Sequence, residues 1–300
     1  MRLLKKICVD NYYAASSWNM EISTKYIFEV DSCLLEASYF EHYHDKTLVK
    51  KVIELPTSYG CPMKCGFCAS SHIKNIQRLS SSTITEIYKY IFSDADILAN
   101  DNQVISFTGM GDLFFTIDEV EDAINIIAKS NNKTHFTVSS CYWTSQLLQR
   151  VEVMAKTVKF RAIQFSFVSC DPFIVRRVIP FYPPKIYNPK DYNNLIESSP
   201  LNNFRINYIM IRNLNDSDTD FNEFTKLFSH VRNKVIIRIA KLNETVASNR
   251  NNLLSPDIDR MRELKCKLDE NGFRSYLFYS AQNDNMNCGQ LITECTIGKY

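Results

Sequence analysis

Three cysteines, Cys61, Cys65 and Cys68, stand in the run Gly-Cys-Pro-Met-Lys-Cys-Gly-Phe-Cys. Thiolates are soft ligands that select iron-sulfur clusters or zinc. A fully ligated electron carrier needs four protein ligands, so three clustered cysteines fit a 4Fe-4S cluster whose fourth iron stays open for chemistry. The competing reading is a structural Cys3His zinc site completed by His72. Further along, Thr108-Gly109-Met110-Gly111-Asp112 forms a turn that is either an ordinary strand-to-helix turn or one whose glycines let backbone approach a ligand closely. It is no dinucleotide fingerprint, because Phe114 stands where the third glycine belongs. Near the C-terminus, Asn287-Cys288-Gly289-Gln290-Leu291 places Cys288 beside a polar, loop-like stretch at 281–287, where it is either a reactive thiol or a loosely buried one.

These residues need a frame. From Gly60 onward, short β-rich runs at 104–107, 134–139, 162–167, 205–211, 235–240 and 275–279 alternate with helical patterns. The helices are expected at 83–92, 117–129, 144–155, 172–178, 218–231 and 256–271. Such alternation is the sign of parallel strands joined by crossover helices. Before the cysteines, 25–30, 33–40 and 47–55 read as a small antiparallel meander. The expected fold class is α/β: a partial (β/α)6 TIM-like barrel over 47–300 with an N-terminal antiparallel β appendage over 1–46. In such barrels chemistry gathers at the C-terminal ends of the strands, where the cysteine loop and glycine turn fall.

Composition narrows the classes. A chain of 300 residues with 45% hydrophobic content supports one main domain. Thirty-five Lys and Arg against 33 Asp and Glu leave a net charge of +2, which permits a nucleic-acid partner without indicating one. Ten cysteines without an export signal in residues 1–9 point to a reducing, cytoplasmic location. No membrane partner is expected, since the apolar run at 235–240 is short and carries Arg238. His42 and His44 read as plain surface residues in a polar loop. The basic pairs Lys50-Lys51, Arg176-Arg177 and Lys156 with Lys159 read as solvated helix faces about as well as phosphate contacts.

Together the motifs resemble the radical S-adenosylmethionine (SAM) adenine methyltransferases, the RNA adenosine carbon-2 enzymes and their carbon-8 relatives. The resemblance runs over about 16–296 and keeps the family order. It begins with the Leu-Leu-Glu-Ala-Ser-Tyr-Phe strand carrying Glu36, then Thr57-Ser58-Tyr59-Gly60-Cys61 and the cysteine triplet, then Gly109-Met110-Gly111-Asp112. Val138-Ser139-Ser140, Phe165-Ser166-Phe167-Val168, Tyr208-Ile209-Met210-Ile211, Asn213-Leu214-Asn215-Asp216, Asn243 and Cys288-Gly289-Gln290-Leu291 follow. The resemblance implies a radical SAM barrel with a 4Fe-4S cluster on Cys61, Cys65 and Cys68. It implies SAM contacts at Gly111, Asp112, Ser139, Ser166, Phe167, Val168 and Asn243. One SAM would methylate Cys288, and a second would be cleaved to a 5'-deoxyadenosyl radical that activates that methyl group for addition to an electron-poor adenine carbon. Glu36 would act as general base. RNA or a small heteroaromatic molecule would be the substrate, with a flavodoxin- or ferredoxin-type electron donor.

The chain also departs from the family. The position of the resolving cysteine, seven residues before Cys61, holds Glu54, and a carboxylate cannot resolve a sulfur adduct by disulfide formation. Cys33, Cys141, Cys170 and Cys295 are the candidate replacements. The family's N-terminal RNA-binding domain is not expected, Asp112-Leu113 replaces Glu-Pro, Val168 replaces a histidine, and Ser280-Ala281-Gln282-Asn283 replaces a basic segment. Two other outcomes therefore stand beside methyl transfer: a radical SAM reaction that uses Cys288 as hydrogen donor or relay, and a non-catalytic iron-sulfur or zinc-binding regulator.

Overall fold

The computed structural model describes residues 1–12, 20–98, 103–181 and 188–278. The chain enters through β1 (Arg2–Tyr12), β2 (Met20–Val30), β3 (Cys33–His44) and β4 (Thr47–Glu54), then the two-residue strands β5 (Ser58–Tyr59) and β6 (Gln77–Arg78). Alternation follows: α1 (Ser81–Asp94), β7 (Gln103–Phe107), α2 (Leu113–Ser130), β8 (His135–Ser140), α3 (Ser145–Met154) and β9 (Lys159–Phe167). After α4 (Pro172–Val178) and α5 (Pro189–Ser198) come β10 (Phe204–Met210), α6 (Asp218–Phe228), β11 (Val235–Lys241), α7 (Val246–Arg250), α8 (Ile258–Glu270) and β12 (Arg274–Phe278).

Ten strands form one sheet in the order β1-β2-β3-β4-β7-β8-β9-β10-β11-β12. The pairings from β1 to β4 are antiparallel and those from β4 to β12 are parallel. The mostly parallel α/β sheet with an antiparallel lead-in is the architecture the sequence implies. β4 is the joint, antiparallel to β3 and parallel to β7, so it serves the barrel as well as the meander.

Alternation within each strand sorts its side chains. On β10, Phe204, Ile206 and Tyr208 are buried on the helix-covered face, where the Tyr208 ring meets Phe224 of α6 at 4.8 Å. Arg205 and Asn207 therefore face the other side. Helices start where short polar side chains cap them: Ser80 accepts from Thr83 N, Thr144 from Leu147 N, and Ser217 with Asp220 forms a capping box. The buried stripe of α2, Leu113, Thr116, Val120, Ala123, Ile124 and Ile127, has helical spacing and seals it to the sheet.

The sheet is strongly curved. Glu54 on β4 and Arg238 on β11 lie five strand steps apart, which would be about 24 Å in a flat sheet. Arg238 nevertheless helps hold down the Glu54 carboxyl pKa, so the sheet curls until its distant strands face one another across a concave side. Helices cover the outside.

Some elements were not legible. β1 is a largely exposed strand at the sheet edge, carrying Lys5 and Lys6, and a bulge between Leu3 and Lys5 breaks its alternation. α5 buries only Tyr192 and Ile196, too few for an apolar stripe. α7 has five residues and rests on its Thr245–Ser248 capping box. The reading of His42 is corrected: it lies within β3, 6% exposed, with Nε2 3.5 Å from Glu21. Burial pushes its pKa down to about 3, with Lys50 adding to the effect. His44 alone of the two is exposed. Lys50 and Lys51 belong to strand β4, not a helix face, and Lys50 is half-buried. Arg176 and Arg177 sit exposed in the last turn of α4, and Lys156 and Lys159 are also exposed. Among the described residues, no helix is long and apolar enough to cross a membrane.

Candidate active site

The cysteine loop leaves the barrel after β4 and is clamped from several directions. Gly60 (φ +70°) and Lys64 (φ +53°) both turn the backbone left-handed, and a Cβ on Gly60 would lie 2.9 Å from the Ile73 side chain. Lys64 Nζ donates to the carbonyls of Ser71 (3.0 Å) and Ile73 (2.6 Å), closing the loop on itself. Gly66 N donates to Val178 O at 2.7 Å, Asn251 Nδ2 to Gly66 O at 2.8 Å and Thr245 Oγ1 to Phe67 O at 2.8 Å. Helices α4 and α7, far along the chain, thus fix the path between Cys65 and Cys68.

Cys61 and Cys65 are buried and Cys68 is half-buried. Burial pushes the Cys61 thiol well above its ordinary pKa, with Asp112 and Cys68 adding to the effect; burial does the same at Cys68. The Cys65 thiol is raised first by its contact with Cys141 and then by burial. Among the described residues, no three His, Cys, Asp or Glu side chains converge tightly enough to hold a single metal ion. A four-iron cluster asks for less, since each thiolate takes a different iron. Three sulfur donors on a rigid, enclosed loop match that group. His72 lies exposed on the turn after Cys68, and the charges it feels are those of Arg250 and Lys64, so it does not complete a Cys3His set here.

The glycine turn docks against the start of this loop. Thr57 N and Ser58 N both donate to Met110 O, at 2.7 and 3.3 Å. Gly111 has φ +111°, and a Cβ there would fall 2.2 Å from Thr57 Oγ1 and 2.7 Å from Ser58 Oγ. Asp112 follows, with its carboxylate fully engaged by the protein: Oδ1 accepts from Phe114 N (2.9 Å) and Ser140 Oγ (2.6 Å), and Oδ2 from Cys141 N (2.8 Å). It caps α2 and pins the end of β8. Burial raises its pKa to about 6 against the pull of these bonds. Ser139 Oγ accepts from Gln164 Nε2 at 3.0 Å and lies 3.5 Å from Ser166 Oγ, so those two strand-end hydroxyls are neighbours. The Val168 carbonyl accepts from Asn215 Nδ2 at 2.5 Å, and Phe167 is buried against Phe224. Asn243 follows β11 and is half-buried. The carried-over positions therefore lie at or just beyond the C-terminal ends of β7, β8, β9 and β11.

Glu36, on β3, is 1% exposed and lies 2.7 Å from Lys25 Nζ, itself 2% exposed. Burial raises its pKa well above the usual carboxylate range, Lys25 opposes that rise, and Glu54 adds to it. Glu54 accepts a hydrogen bond from Thr108 Oγ1, and Thr108 contacts Ser106 Oγ at 2.9 Å. Two carboxylates and a lysine thus share the interior where the meander joins the barrel. The Lys25 partnership gave no sequence signal, because only the β2–β3 register brings the two residues together.

The thiols divide. Cys141, at the end of β8, lies 3.9 Å from Cys65 Sγ, a contact between residues 76 apart that no spacing rule reveals. Cys33 Sγ contacts Gln77 Oε1 at 3.9 Å, and the Cys170 thiol is pushed up to about 12 by burial, with Glu223 and Asp220 contributing. Cys288 and Cys295 lie outside the described residues.

No protein-family profile matches the chain. It is 24% identical over 229 residues to the dual-specificity RNA methyltransferase RlmN of Sulfurovum sp., a match that covers 72% of this chain and 63% of that protein. A Helicobacter hepaticus protein of the same name is 23% identical over 282 residues, covering 90% of this chain and 74% of its own length. Among solved structures, a radical SAM methyltransferase from Sphaerobacter thermophilus superposes with a TM-score of 0.75 over 96% of this chain and 80% of its own, at 17% identity. Streptococcus suis SuiB, in a structure with S-adenosylmethionine, gives a TM-score of 0.55 over 77% of this chain and 50% of its own, at 12% identity. The curated match reaches less than two thirds of the Sulfurovum protein's length, yet fold and sequence point the same way. The chain is thus similar in sequence to the RlmN-type RNA methyltransferases and shares the fold of a radical SAM methyltransferase.

Proposed function

We propose that the chain is a radical SAM enzyme that transfers a methyl-derived carbon to an adenine-like carbon, in RNA or in a smaller molecule. The observation that carries this reading is the enclosed loop of Cys61, Cys65 and Cys68, docked through its backbone on the Gly109–Gly111 turn at the strand ends. A 4Fe-4S cluster held there would supply the electron that cleaves SAM. The chain's own contribution is positional. Gly111, lacking a side chain, lets the glycine turn pack directly against Thr57 and Ser58 at the start of the cysteine loop. Ser139 and Ser166 present adjacent hydroxyls, and Asp112 works through Ser140 and Cys141 to hold the end of β8 in place. Glu36 would hold or move a proton within its pair with Lys25. Cys288 would carry the methyl group, and a flavodoxin- or ferredoxin-type protein would deliver electrons.

Glu54 favours a second reading. With a carboxylate bonded to Thr108 where the family keeps its resolving thiol, Cys288 would serve as hydrogen donor or relay and the product would carry no methyl group. Anaerobic incubation of the reconstituted protein with methyl-labelled SAM and reductant tests both. Formation of 5'-deoxyadenosine, absent in Cys61→Ala, supports the radical reading, and none above that control refutes it. Labelled methyl on the Cys288 peptide selects the transferase. Unmodified Cys288 in protein that cleaves SAM selects the alternative.

A further inference from the structure

The concave face of the sheet changes character along the strands. At the C-terminal ends it offers hydroxyls and the Lys25, Glu36 and Glu54 group. Further down the strands it gathers cations, Lys50 on β4, Arg205 on β10 and, midway along its strand, Arg238 on β11, with the exposed Arg161 at the β9 register shift acting on the same group. Register and alternation put Arg205 beside Gln164, and Asn207 beside Arg238, all on the face opposite the helices. Arg205 Nη1 donates to Gln164 Oε1 at 3.4 Å. Arg238 Nε donates to Asn207 Oδ1 at 2.7 Å, and its guanidinium lies over the Phe278 ring at 4.1 Å. Among the described residues none of the four makes an ion pair with a carboxylate. The nearby acid on this end, Glu21, is engaged by His42 and Ser23.

Glu54 acts on Arg238 and Glu21 on Lys50, but four cations against two carboxylates leave an excess of positive charge that a bound anion would offset. Charged groups drawn out of water are ordinarily paired, and barrel interiors of this type are ordinarily filled with branched apolar side chains. Lys50, Arg205 and Arg238 are half-buried and Arg161 is exposed, so the group is open to a solute. Its members act on one another: the Lys50 pKa falls to about 8, through burial and then through Arg205, Arg161 and Arg238. Guanidinium forks suit the planar, bidentate recognition of phosphate or carboxylate. Three guanidinium groups and an ammonium match the charge of a phosphate dianion better than that of one carboxylate. Lys50 to Glu54 is four residues along β4, about 13 Å, so a phosphate at the cationic end and a base near the cysteine end could belong to one extended small molecule.

We propose that this end of the barrel binds the phosphate of a nucleotide-like substrate. The proposal deepens the reading above and rests on it for the adenine-like part of the molecule. Phosphate binding, however, requires no turnover.

The test is isothermal titration of the full-length, cluster-reconstituted protein with adenosine 5'-monophosphate, adenosine, inorganic phosphate and a short RNA lacking terminal phosphates. The expected result is that the monophosphate binds at least 10-fold more tightly than adenosine or inorganic phosphate, with an affinity that falls as salt rises. Arg205→Gln should weaken the monophosphate at least 10-fold and leave adenosine unchanged. Lys50→Gln should act in the same direction, with unchanged melting temperature in both variants as the folding control. Equal binding of adenosine and the monophosphate overturns the proposal, as do unchanged affinities in both variants. RNA or inorganic phosphate that equals the monophosphate overturns the small-nucleotide assignment. Loss of 5'-deoxyadenosine formation would sink the radical reading without touching these titrations, so the two failures are separable.

Discussion

Replacing Gly111 by alanine tests how tightly the glycine turn is built against the cysteine loop. Two costs add. At φ +111° an alanine is strained, worth about 1–3 kcal/mol. Its Cβ would also sit 2.2 Å from Thr57 Oγ1 and 2.7 Å from Ser58 Oγ, so both hydroxyls must move. Those hydroxyls donate to Met110 O (3.3 Å) and Gly60 O (2.6 Å), and losing the two bonds adds about 0.5–1.5 kcal/mol each. The expected total is about 4 kcal/mol. Gly272 is the matched control, with φ +75° and nothing within 4 Å of a built Cβ, so Gly272→Ala should cost about 1 kcal/mol from backbone strain alone. Urea unfolding followed by far-UV circular dichroism compares the two. Iron content after anaerobic reconstitution then reports whether the displaced Thr57 and Ser58 carry the disturbance into the Cys61 loop. A Gly111→Ala cost within about 1 kcal/mol of Gly272→Ala would refute the reasoning, because the crowding would then contribute nothing.

The buried Lys25–Glu36 pair should behave as a unit. Lys25→Met leaves a buried carboxylate alone and should cost about 3–5 kcal/mol, whereas Lys25→Met with Glu36→Leu should recover most of it; a double variant no more stable than the single would count against the pairing. Because a protonated Glu36 needs no cation, the deficit of Lys25→Met should shrink as pH falls. His42 supplies a separate pH signature. Its folded pKa of about 3 lies below the ordinary histidine value of 6.5, so the unfolded chain binds the extra proton first and stability is lost as pH falls below the unfolded value. Between pH 7 and pH 5 its contribution should drop by about 2 kcal/mol. In His42→Gln that share of the loss should be missing, and equal pH slopes in the two proteins would show that His42 is not held neutral.

The local parts of this protein could be read directly from its residues. Cys61, Cys65 and Cys68 were legible because ligands of one group on one loop must be close in sequence, and short spacings survive without knowledge of the fold. The alternating strands and helices from β7 to β12 were legible because helices packed on the covered face of a sheet impose strong apolar periods and capped ends. Gly111 was legible as a turn. Its crowding against Thr57 and Ser58 was not. Tertiary structure alone decided what meets across the sheet. Strand register sets Lys25 diagonally across from Glu36, curvature brings Glu54 of β4 within reach of Arg238 of β11, and Cys141 comes to lie 3.9 Å from Cys65. It also turned Asp112 from a free-standing candidate into a cap and brace, buried His42, and drew Lys50 into a group with three arginines. Each of these depends on side chains far apart in the chain meeting on a curved surface, and curvature comes from the twist and packing of the whole sheet, which no local window of residues encodes.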